Sequence, residues 1–338
     1  MSDILLEKRE MGDILLEKRE MGDVLLEARD ITKEFPAGRG KKVHAVTDVS
    51  LKLYEGETLG IVGESGCGKS TLGNMLVHLL PPTSGKLFFR GEDVTALSDK
   101  DFMKYRRQLQ LIFQDTSAAL DPRMTVRDII AEPLETYHVC STKEETTQKV
   151  LELLDAVGVP GEFLYRYPHQ FSGGQRQRIG IARAIAADPA LIVCDEPVSA
   201  LDVSVQNQVL NLLKDLQKTR ELTYLFISHD LSVVRYISDR IGVMFLGQIC
   251  ELGSTQEVFH SPLHPYTKFL LDAIPKPDPR RRDDVIQLMH GEVPSPVDPP
   301  SGCRFHTLCP YATPECSRQA PALREVGERT VACHHPLG

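Results

Sequence analysis

The segment at residues 63–71, GESGCGKST, constrains the fold of this chain more than any other stretch of its 338 residues. It matches the pattern G-x-x-x-x-G-K-[ST] between a predicted strand at 58–62 and a predicted helix at 70–80, which Pro81 and Pro82 would end. The glycines let backbone N–H groups close around a phosphate, and the helix N-terminus adds partial positive charge. The candidate phosphate-contacting residues are Gly63, Ser65, Gly66, Cys67, Gly68, Lys69, Ser70 and Thr71. Within that set, Lys69 can reach the β- and γ-phosphates, and the Ser70 hydroxyl suits Mg²⁺.

Two acidic residues follow a predicted apolar strand farther along the chain. The run at 191–196, LIVCDE, ends in Asp195 and Glu196. Asp195 is placed to hold the Mg²⁺ shell through water, and Glu196 to polarise the water that attacks the γ-phosphate. The alternative is that the pair merely caps a helix. Because the phosphate loop lies upstream, we favour the catalytic interpretation.

A second anion-binding helix N-terminus is predicted at 171–175, FSGGQ. Ser172, Gly173, Gly174 and Gln175 precede a helical run, so their backbone N–H groups can face a phosphate. One chain has no reason to bind two triphosphates separately. We therefore expect a head-to-tail dimer in which the Ser172 loop of each chain closes on the nucleotide of its partner.

The order of predicted elements indicates the fold class. Strands at 190–194, 223–228 and 240–245 alternate with helical segments such as 205–220, which predicts a largely parallel sheet covered on both faces. A second pair of strands is predicted at 87–89 and 109–113. Residues 115–170 are rich in helix formers and predict a helical insertion.

Composition narrows the functional classes. Hydrophobic residues make up 41% and charged residues 25%, which is typical of a globular chain of about two domains. No apolar run approaches the roughly 18 residues of a membrane span, and acidic residues interrupt the start where a secretory signal would be apolar. The net charge of -8 gives no electrostatic reason for nucleic-acid binding. We expect a cytosolic chain whose membrane role, if any, comes through partners.

These motifs together resemble the ATP-binding-cassette ATPases over about residues 23–274. The resemblance implies an α/β nucleotide-binding domain: a RecA-like core with an antiparallel β edge and a helical subdomain at about 115–172. It implies ATP and Mg²⁺ as ligands, and three further roles. Gln114 would sense Mg²⁺ and the γ-phosphate, Asp202 would belong to the loop that links the two sites of the dimer, and His229 would contact the γ-phosphate. Phe35 is the candidate for stacking on adenine, with a core phenylalanine as the alternative.

A narrower resemblance rests on SALDVSVQNQ at 199–208, HPYT at 264–267 and GCRFHTLCP at 302–310. The pattern is similar to the ATPase subunits of oligopeptide and dipeptide importers, of the F-type rather than the D-type. It implies a chain peripheral on the cytoplasmic side of the inner membrane, powering peptide uptake. The implied partners are a second ATPase subunit, two transmembrane permeases and an extracytoplasmic peptide-binding protein, with no nucleic acid. Nickel or glutathione importers, and less readily a non-transport cassette ATPase, are the alternatives.

The two ends of the chain lie outside that cassette. Residues 1–22 contain two copies of a ten-residue repeat, MSDILLEKRE and MGDILLEKRE, which are expected to be disordered. Residues 275–338 form a Pro-rich extension, predicted to be a small irregular domain that carries Cys303, Cys309, Cys316 and Cys333. Four thiolates can bind Zn²⁺ or an iron–sulfur cluster. Their spacing fits no common template for either ligand, so a further alternative is that the thiols bind no metal. The family resemblance favours a structural [4Fe-4S] cluster, with Zn²⁺ as the alternative.

Overall fold

The computed structural model describes residues 22–38, 40–274 and 291–338. The first two copies of the N-terminal repeat, and residues 275–290 of the predicted Pro-rich segment, lie outside the described residues. No helix in the described ranges is both long enough and apolar enough to cross a membrane.

A four-stranded antiparallel sheet begins the fold. Its spatial order is β2 (Lys42–Tyr54), β1 (Val24–Pro36), β4 (Ser84–Phe89) and β5 (Glu92–Asp93). In the register of the sheet, Leu26 pairs with Leu53 on one side and with Phe89 on the other. All three side chains are buried, so this face of the sheet packs on the protein core. The sheet is the antiparallel edge that the family resemblance implies.

An eight-stranded sheet forms the centre of the molecule. Its spatial order is β11 (Arg324–Val326), β12 (Arg329–Val331), β10 (Gln248–Ser254), β9 (Arg240–Phe245), β3 (Thr58–Val62), β8 (Thr223–Ser228), β7 (Leu191–Asp195) and β6 (Leu109–Ile112). The five strands from β9 to β6 are parallel. Every residue of β3 and β8 is buried, as expected for strands covered on both faces. The predicted strands at 87–89 and 109–113 therefore exist but do not pair, since β4 and β6 belong to different sheets.

Eleven α-helices occupy the described ranges. They are α1 (Lys69–Leu76), α2 (Asp99–Arg106), α3 (Thr116–Ala119), α4 (Val126–Thr136), α5 (Lys143–Ala156), α6 (Gly173–Ile185), α7 (Val203–Arg220), α8 (Leu231–Ile237), α9 (Thr255–His260), α10 (Pro265–Asp272) and α11 (Pro314–Arg318). Two 3-10 turns, Gly161–Phe163 and Pro168–Gln170, lie between α5 and α6. Helices α3, α4 and α5 and the two 3-10 turns lie within the predicted helical insertion at about 115–172, and α6 begins directly after it. Threonines cap two of them, since Thr125 accepts an N–H bond at the start of α4 and Thr142 does so at the start of α5.

Helix α1 is shorter than its sequence predicts. It ends at Leu76, four residues before the end of the helix predicted at 70–80, because His78 adopts a left-handed backbone conformation with φ of 57°. The His78 ring stacks on Phe102 of α2 at a centroid distance of 4.1 Å. This contact holds the turn that leaves the helix, and Leu79 next to it is half exposed. Tertiary packing therefore ends the helix before the prolines are reached.

Residues 291–338 are mostly irregular, yet they pack directly on the cassette. Strand β12 pairs with β10 and so extends the central sheet. Buried Glu251 of β10 accepts the N–H groups of Leu263 and His264, both at 2.9 Å, and lies 3.5 Å from Arg329 of β12. Arg304 of the tail donates to the Leu246 carbonyl and to the Thr47 hydroxyl. The tail is thus anchored to the sheet on one side and to strand β2 on the other.

Candidate functional site

The phosphate loop follows β3 and has a backbone that glycine alone adopts without strain. Gly66 and Gly68 have φ angles of 78° and 104°. A Cβ atom at Gly68 would lie 2.0 Å from the Ala45 carbonyl oxygen, so the loop also needs the absence of a side chain there. The motif therefore forms the strand–loop–helix turn that its sequence predicts.

Lys69 and the helix N-terminus supply the positive charge of this loop. The buried Lys69 ammonium donates to the carbonyls of Gly63 and Glu64, each at 2.8 Å. Within the described part of the chain, no acceptor is found for the backbone N–H groups of Gly68, Ser70 and Thr71. An unsatisfied row of donors at a helix start, beside a buried ammonium, is a site built for an anion such as phosphate.

Ser70 and Asp195 lie side by side at the edge of the central sheet. The Ser70 hydroxyl donates to Asp195 Oδ1 at 2.9 Å. Burial raises the pKa of the Asp195 carboxyl, and the hydrogen bond from Ser70 opposes that shift. A hydroxyl and a desolvated carboxylate are hard oxygen ligands, which is the donor set that Mg²⁺ prefers. The residues present therefore fit a bound Mg²⁺.

Three predicted catalytic side chains meet at Glu196. Gln114 Nε2 donates to Glu196 Oε2 at 3.0 Å, and His229 Nδ1 lies 3.2 Å from the same oxygen. Glu196 itself has φ of 46°, a left-handed backbone conformation that is uncommon for residues other than glycine. The turn after β7 thus aims its carboxylate at the ends of β6 and β8, where Gln114 and His229 lie.

The predicted second anion-binding loop stands apart from this cluster. Ser172 caps α6, since its Oγ accepts the Gln175 N–H at 3.3 Å while the Gln175 side chain accepts the Ser172 N–H at 3.0 Å. Asp202 caps α7 through the N–H of Val205. Among the described residues, no hydrogen bond or ion pair joins Ser172, Gln175 or Asp202 to the phosphate loop. In the described part of the chain, the two anion-binding loops are therefore not joined by any contact of these kinds.

Phe35, predicted to stack on adenine, lies near the end of β1. It is half-buried, and the Lys33 ammonium lies 5.4 Å from its ring centre. The buried apolar side chains of the described residues form two core clusters, and Phe35 belongs to neither. A core phenylalanine, the alternative interpretation, would belong to one of them. Its role toward adenine stays a prediction.

One contact to the phosphate loop escaped the sequence reasoning. The hydroxyl of Tyr266, in the HPYT segment, accepts the backbone N–H of Glu64 at 3.1 Å. The segment was recognisable as a motif, but it signalled only a likeness to peptide importers. A chain separation of 202 residues hides the contact from any local pattern.

The four tail cysteines line one cavity beside α10. The cavity wall is formed by His264, Pro265, Cys303, Phe305, His306, Cys309, Tyr311, Cys316, Cys333, His334 and His335. All four thiols are unpaired. Within residues 22–38, 40–274 and 291–338, no group of three or more His, Cys, Asp or Glu side chains is arranged so that it could hold a metal ion.

Comparison with known proteins agrees with this geometry. The family described as ABC transporter matches residues 46–199, and the family described as oligopeptide/dipeptide transporter, C-terminal region, matches residues 250–316. The dimeric, post-hydrolysis structure of the ATP-binding cassette MJ0796 bound to ADP and Pi superimposes with a TM-score of 0.63 at 31% identity, covering 68% of this chain and 99% of that one.

Two curated relatives extend the match to most of the chain. The oligopeptide transport ATP-binding protein AppF of Bacillus subtilis is 52% identical, covering 90% of this chain and 95% of that protein. The oligopeptide transport ATP-binding protein OppF of Salmonella typhimurium is also 52% identical, covering 87% and 88%. These matches confirm the predicted nucleotide-binding fold and the predicted family. The chain belongs to the ATP-binding-cassette family of ATP-hydrolysing transport subunits, among the oligopeptide transport ATP-binding proteins.

Proposed function

We propose that this chain powers the uptake of di- and oligopeptides across the cytoplasmic membrane as one ATPase subunit of a multi-subunit importer. The observation that carries the proposal is the 52% identity to oligopeptide transport ATP-binding proteins, which extends over both the cassette and the tail. Nickel and glutathione importers remain the alternatives, because the subunit does not contact the transported solute.

The hydrolytic step is assigned to the residues around the phosphate loop. Lys69 and the N–H groups at the start of α1 would bind the β- and γ-phosphates. Ser70 and Asp195 would hold Mg²⁺, and Gln114 would lie beside this ion. When bound, Mg²⁺ would neutralise charge on the phosphate oxygens. Glu196 would orient and deprotonate the attacking water, and His229 would contact the γ-phosphate. The convergence of Gln114 and His229 on one oxygen of Glu196 supports this assignment.

A second cassette subunit is proposed to complete the site. Ser172 to Gln175 would close on the nucleotide held by the partner, and Asp202 would lie at the junction between the two sites. The lack of any hydrogen bond between Ser172 and the phosphate loop among the described residues supports this arrangement. So does the dimeric state named for the similar cassette MJ0796. We propose a heterodimer, as the F-type assignment implies.

The membrane partners are proposed to dock on a groove between the central sheet and the helical insertion. Its walls include Leu79, Phe113, Pro133 and Arg183. The Leu79 and Phe113 side chains are 50% and 44% exposed, so the groove offers accessible apolar surface that a partner could cover. Two permeases, an extracytoplasmic peptide-binding protein and a position on the cytoplasmic face of the membrane complete the proposed assembly.

Uptake measurements test the proposed cargo. Deleting the gene from its host should abolish the uptake of a radiolabelled tripeptide, and the unmodified gene should restore it. Lys69→Ala should fail to restore uptake, because the ammonium that binds the phosphates is gone. Loss of nickel or glutathione uptake with normal peptide uptake would favour the alternative importers. Co-purification with nucleic acid rather than permeases would instead favour a non-transport ATPase.

The cysteine cavity is proposed to hold a structural [4Fe-4S] cluster on Cys303, Cys309, Cys316 and Cys333. The four thiols surround one cavity, which supports a shared ligand. The choice of iron–sulfur over Zn²⁺ rests on the family resemblance, because either could bind four thiolates. The cluster would cross-link an irregular tail.

Metal analysis tests the cluster. The chain purified without oxygen should be brown, with broad absorption at about 400 nm and about four iron atoms per chain. Cys309→Ser should lose most of the iron, whereas Cys140→Ser, a half-buried thiol in the helical insertion, should keep it. A colourless protein with one zinc per chain would contradict the proposal and support the alternative metal.

A further inference from the structure

A single peptide unit of the phosphate loop is held from both ends. The carbonyl of Gly63 accepts a hydrogen bond from Lys69 Nζ at 2.8 Å, and the N–H of Glu64 donates to the Tyr266 hydroxyl at 3.1 Å. These two groups belong to the same planar peptide, so fixing the direction of the N–H also fixes the direction of the carbonyl. Tyr266 therefore constrains the carbonyl that orients the Lys69 ammonium.

The position of Tyr266 is set in turn by the tail. The Tyr266 side chain is fully buried, with its ring 4.7 Å from Phe245 and 5.4 Å from Phe305 of the tail. Phe305 is also buried and lines the cysteine cavity. The backbone N–H of Tyr266 donates to His264 Nδ1 at 3.0 Å, which fixes the start of α10. A continuous set of contacts thus runs from the cysteine cavity to the phosphate loop.

We propose that Tyr266 is a positioning residue through which the docked tail sets the affinity of the phosphate loop for ATP. The inference rests on the proposed ATPase function and adds a regulatory role for the tail. When the tail is ordered, Phe305 holds the Tyr266 ring, the hydroxyl holds the Glu64 amide, and Lys69 faces the phosphates. When the tail is displaced, the peptide can rotate and Lys69 loses its fixed direction.

The hydroxyl can be removed without changing the shape of the ring. Tyr266→Phe in the full chain should weaken binding of the fluorescent nucleotide mant-ATP about five-fold, since one neutral hydrogen bond is lost. The KM for ATP should rise by a similar factor with little change in kcat, because the bound phosphates themselves hold Lys69 during the reaction.

Tyr224→Phe is the matched control. Tyr224 is equally buried, and its hydroxyl also donates to a backbone group, the Leu213 carbonyl, but it does not contact the phosphate loop. This variant should bind mant-ATP as tightly as the unmodified chain. Equal losses in the two variants would show a general effect of core destabilisation and would overturn the proposal, as would unchanged binding by Tyr266→Phe.

The tail contribution is tested with Phe305→Leu, alone and combined with Tyr266→Phe. Alone, it should weaken mant-ATP binding, because the smaller side chain no longer holds the tyrosine ring. In the double variant it should add little, because the hydroxyl that transmits the effect is already gone. Additive losses would overturn the role of Tyr266 as the connection. If the unmodified chain binds no mant-ATP, the proposed ATPase function fails first, which is a distinct result.

Discussion

Glu196→Gln should lower the rate of ATP hydrolysis about a thousand-fold while leaving ATP binding nearly unchanged. The amide keeps the size of the side chain and its hydrogen bond with Gln114, but it cannot take a proton from water. The Glu196 backbone is already held in its left-handed conformation, so the substituted side chain occupies the same place. The loss is therefore expected in kcat and not in KM.

The same substitution should trap the ATP-bound dimer. If hydrolysis is what separates the two cassettes, a subunit that binds ATP without cleaving it stays closed on its partner. Size-exclusion chromatography of the co-purified ATPase pair with ATP and Mg²⁺ should show a stable dimer for the variant and a transient one for the unmodified protein. Phosphate release measures the rate itself.

Glu221→Gln provides the control for this experiment. Glu221 also has a left-handed backbone, with φ of 53°, but it lies exposed at the end of α7. It should hydrolyse ATP at the normal rate. Normal hydrolysis by Glu196→Gln as well would show that another group activates the water, and His229 would become the next candidate.

The chemistry of the phosphate loop could be predicted from sequence because it depends on local structure. Residues 63–71 require only a strand before them, a helix after them and glycines at the positive φ angles of Gly66 and Gly68. The acidic pair after β7 is predictable for the same reason, since the end of a buried parallel strand places Asp195 next to Ser70.

Contacts between distant segments could not be predicted in this way. The β4 strand pairs with β1 and not with β6, because the buried side chains of Leu26 and Phe89 pack together. An apolar run in the sequence predicts a buried strand but does not show which other strand it will pair with. The α1 helix ends at His78 because that ring stacks on Phe102, a residue of another helix. The bond from Glu64 to Tyr266 likewise depends on how the tail docks.

Sequence also leaves the ligand of the tail open. The spacing of Cys303, Cys309, Cys316 and Cys333 does not fit the common zinc or iron–sulfur templates, and only the fold places the four around one cavity. An irregular segment gains its shape from what it packs on, here β10 and α10. Its geometry is therefore a property of the whole chain and not of the segment.

Ser172→Arg should strongly reduce ATP hydrolysis at the partner subunit's site and not at the site of its own chain. A bulky cation at the start of α6 would block the helix N-terminus that is proposed to close on the partner's nucleotide. The variant should still bind ATP at its own Lys69 loop, because no hydrogen bond or ion pair joins Ser172 to that loop among the described residues. Hydrolysis at the partner's site should fall about a hundred-fold, because the N–H donors at the start of α6 would no longer stabilise the charge that develops on the γ-phosphate in the transition state.

Vanadate trapping of 8-azido-ATP in the assembled transporter distinguishes the two sites, because each ATPase subunit is labelled separately. Ser172→Arg should remove the trapped label from the partner and leave it on this chain, whereas Lys69→Ala should do the reverse. Ser98→Arg controls for the loss of a helix cap, since Ser98 accepts an N–H bond at the start of α2 as Ser172 does at α6. It should leave both labels intact. Loss of label from this chain alone in Ser172→Arg would mean that each subunit completes its own site, and the shared-site mechanism would be wrong.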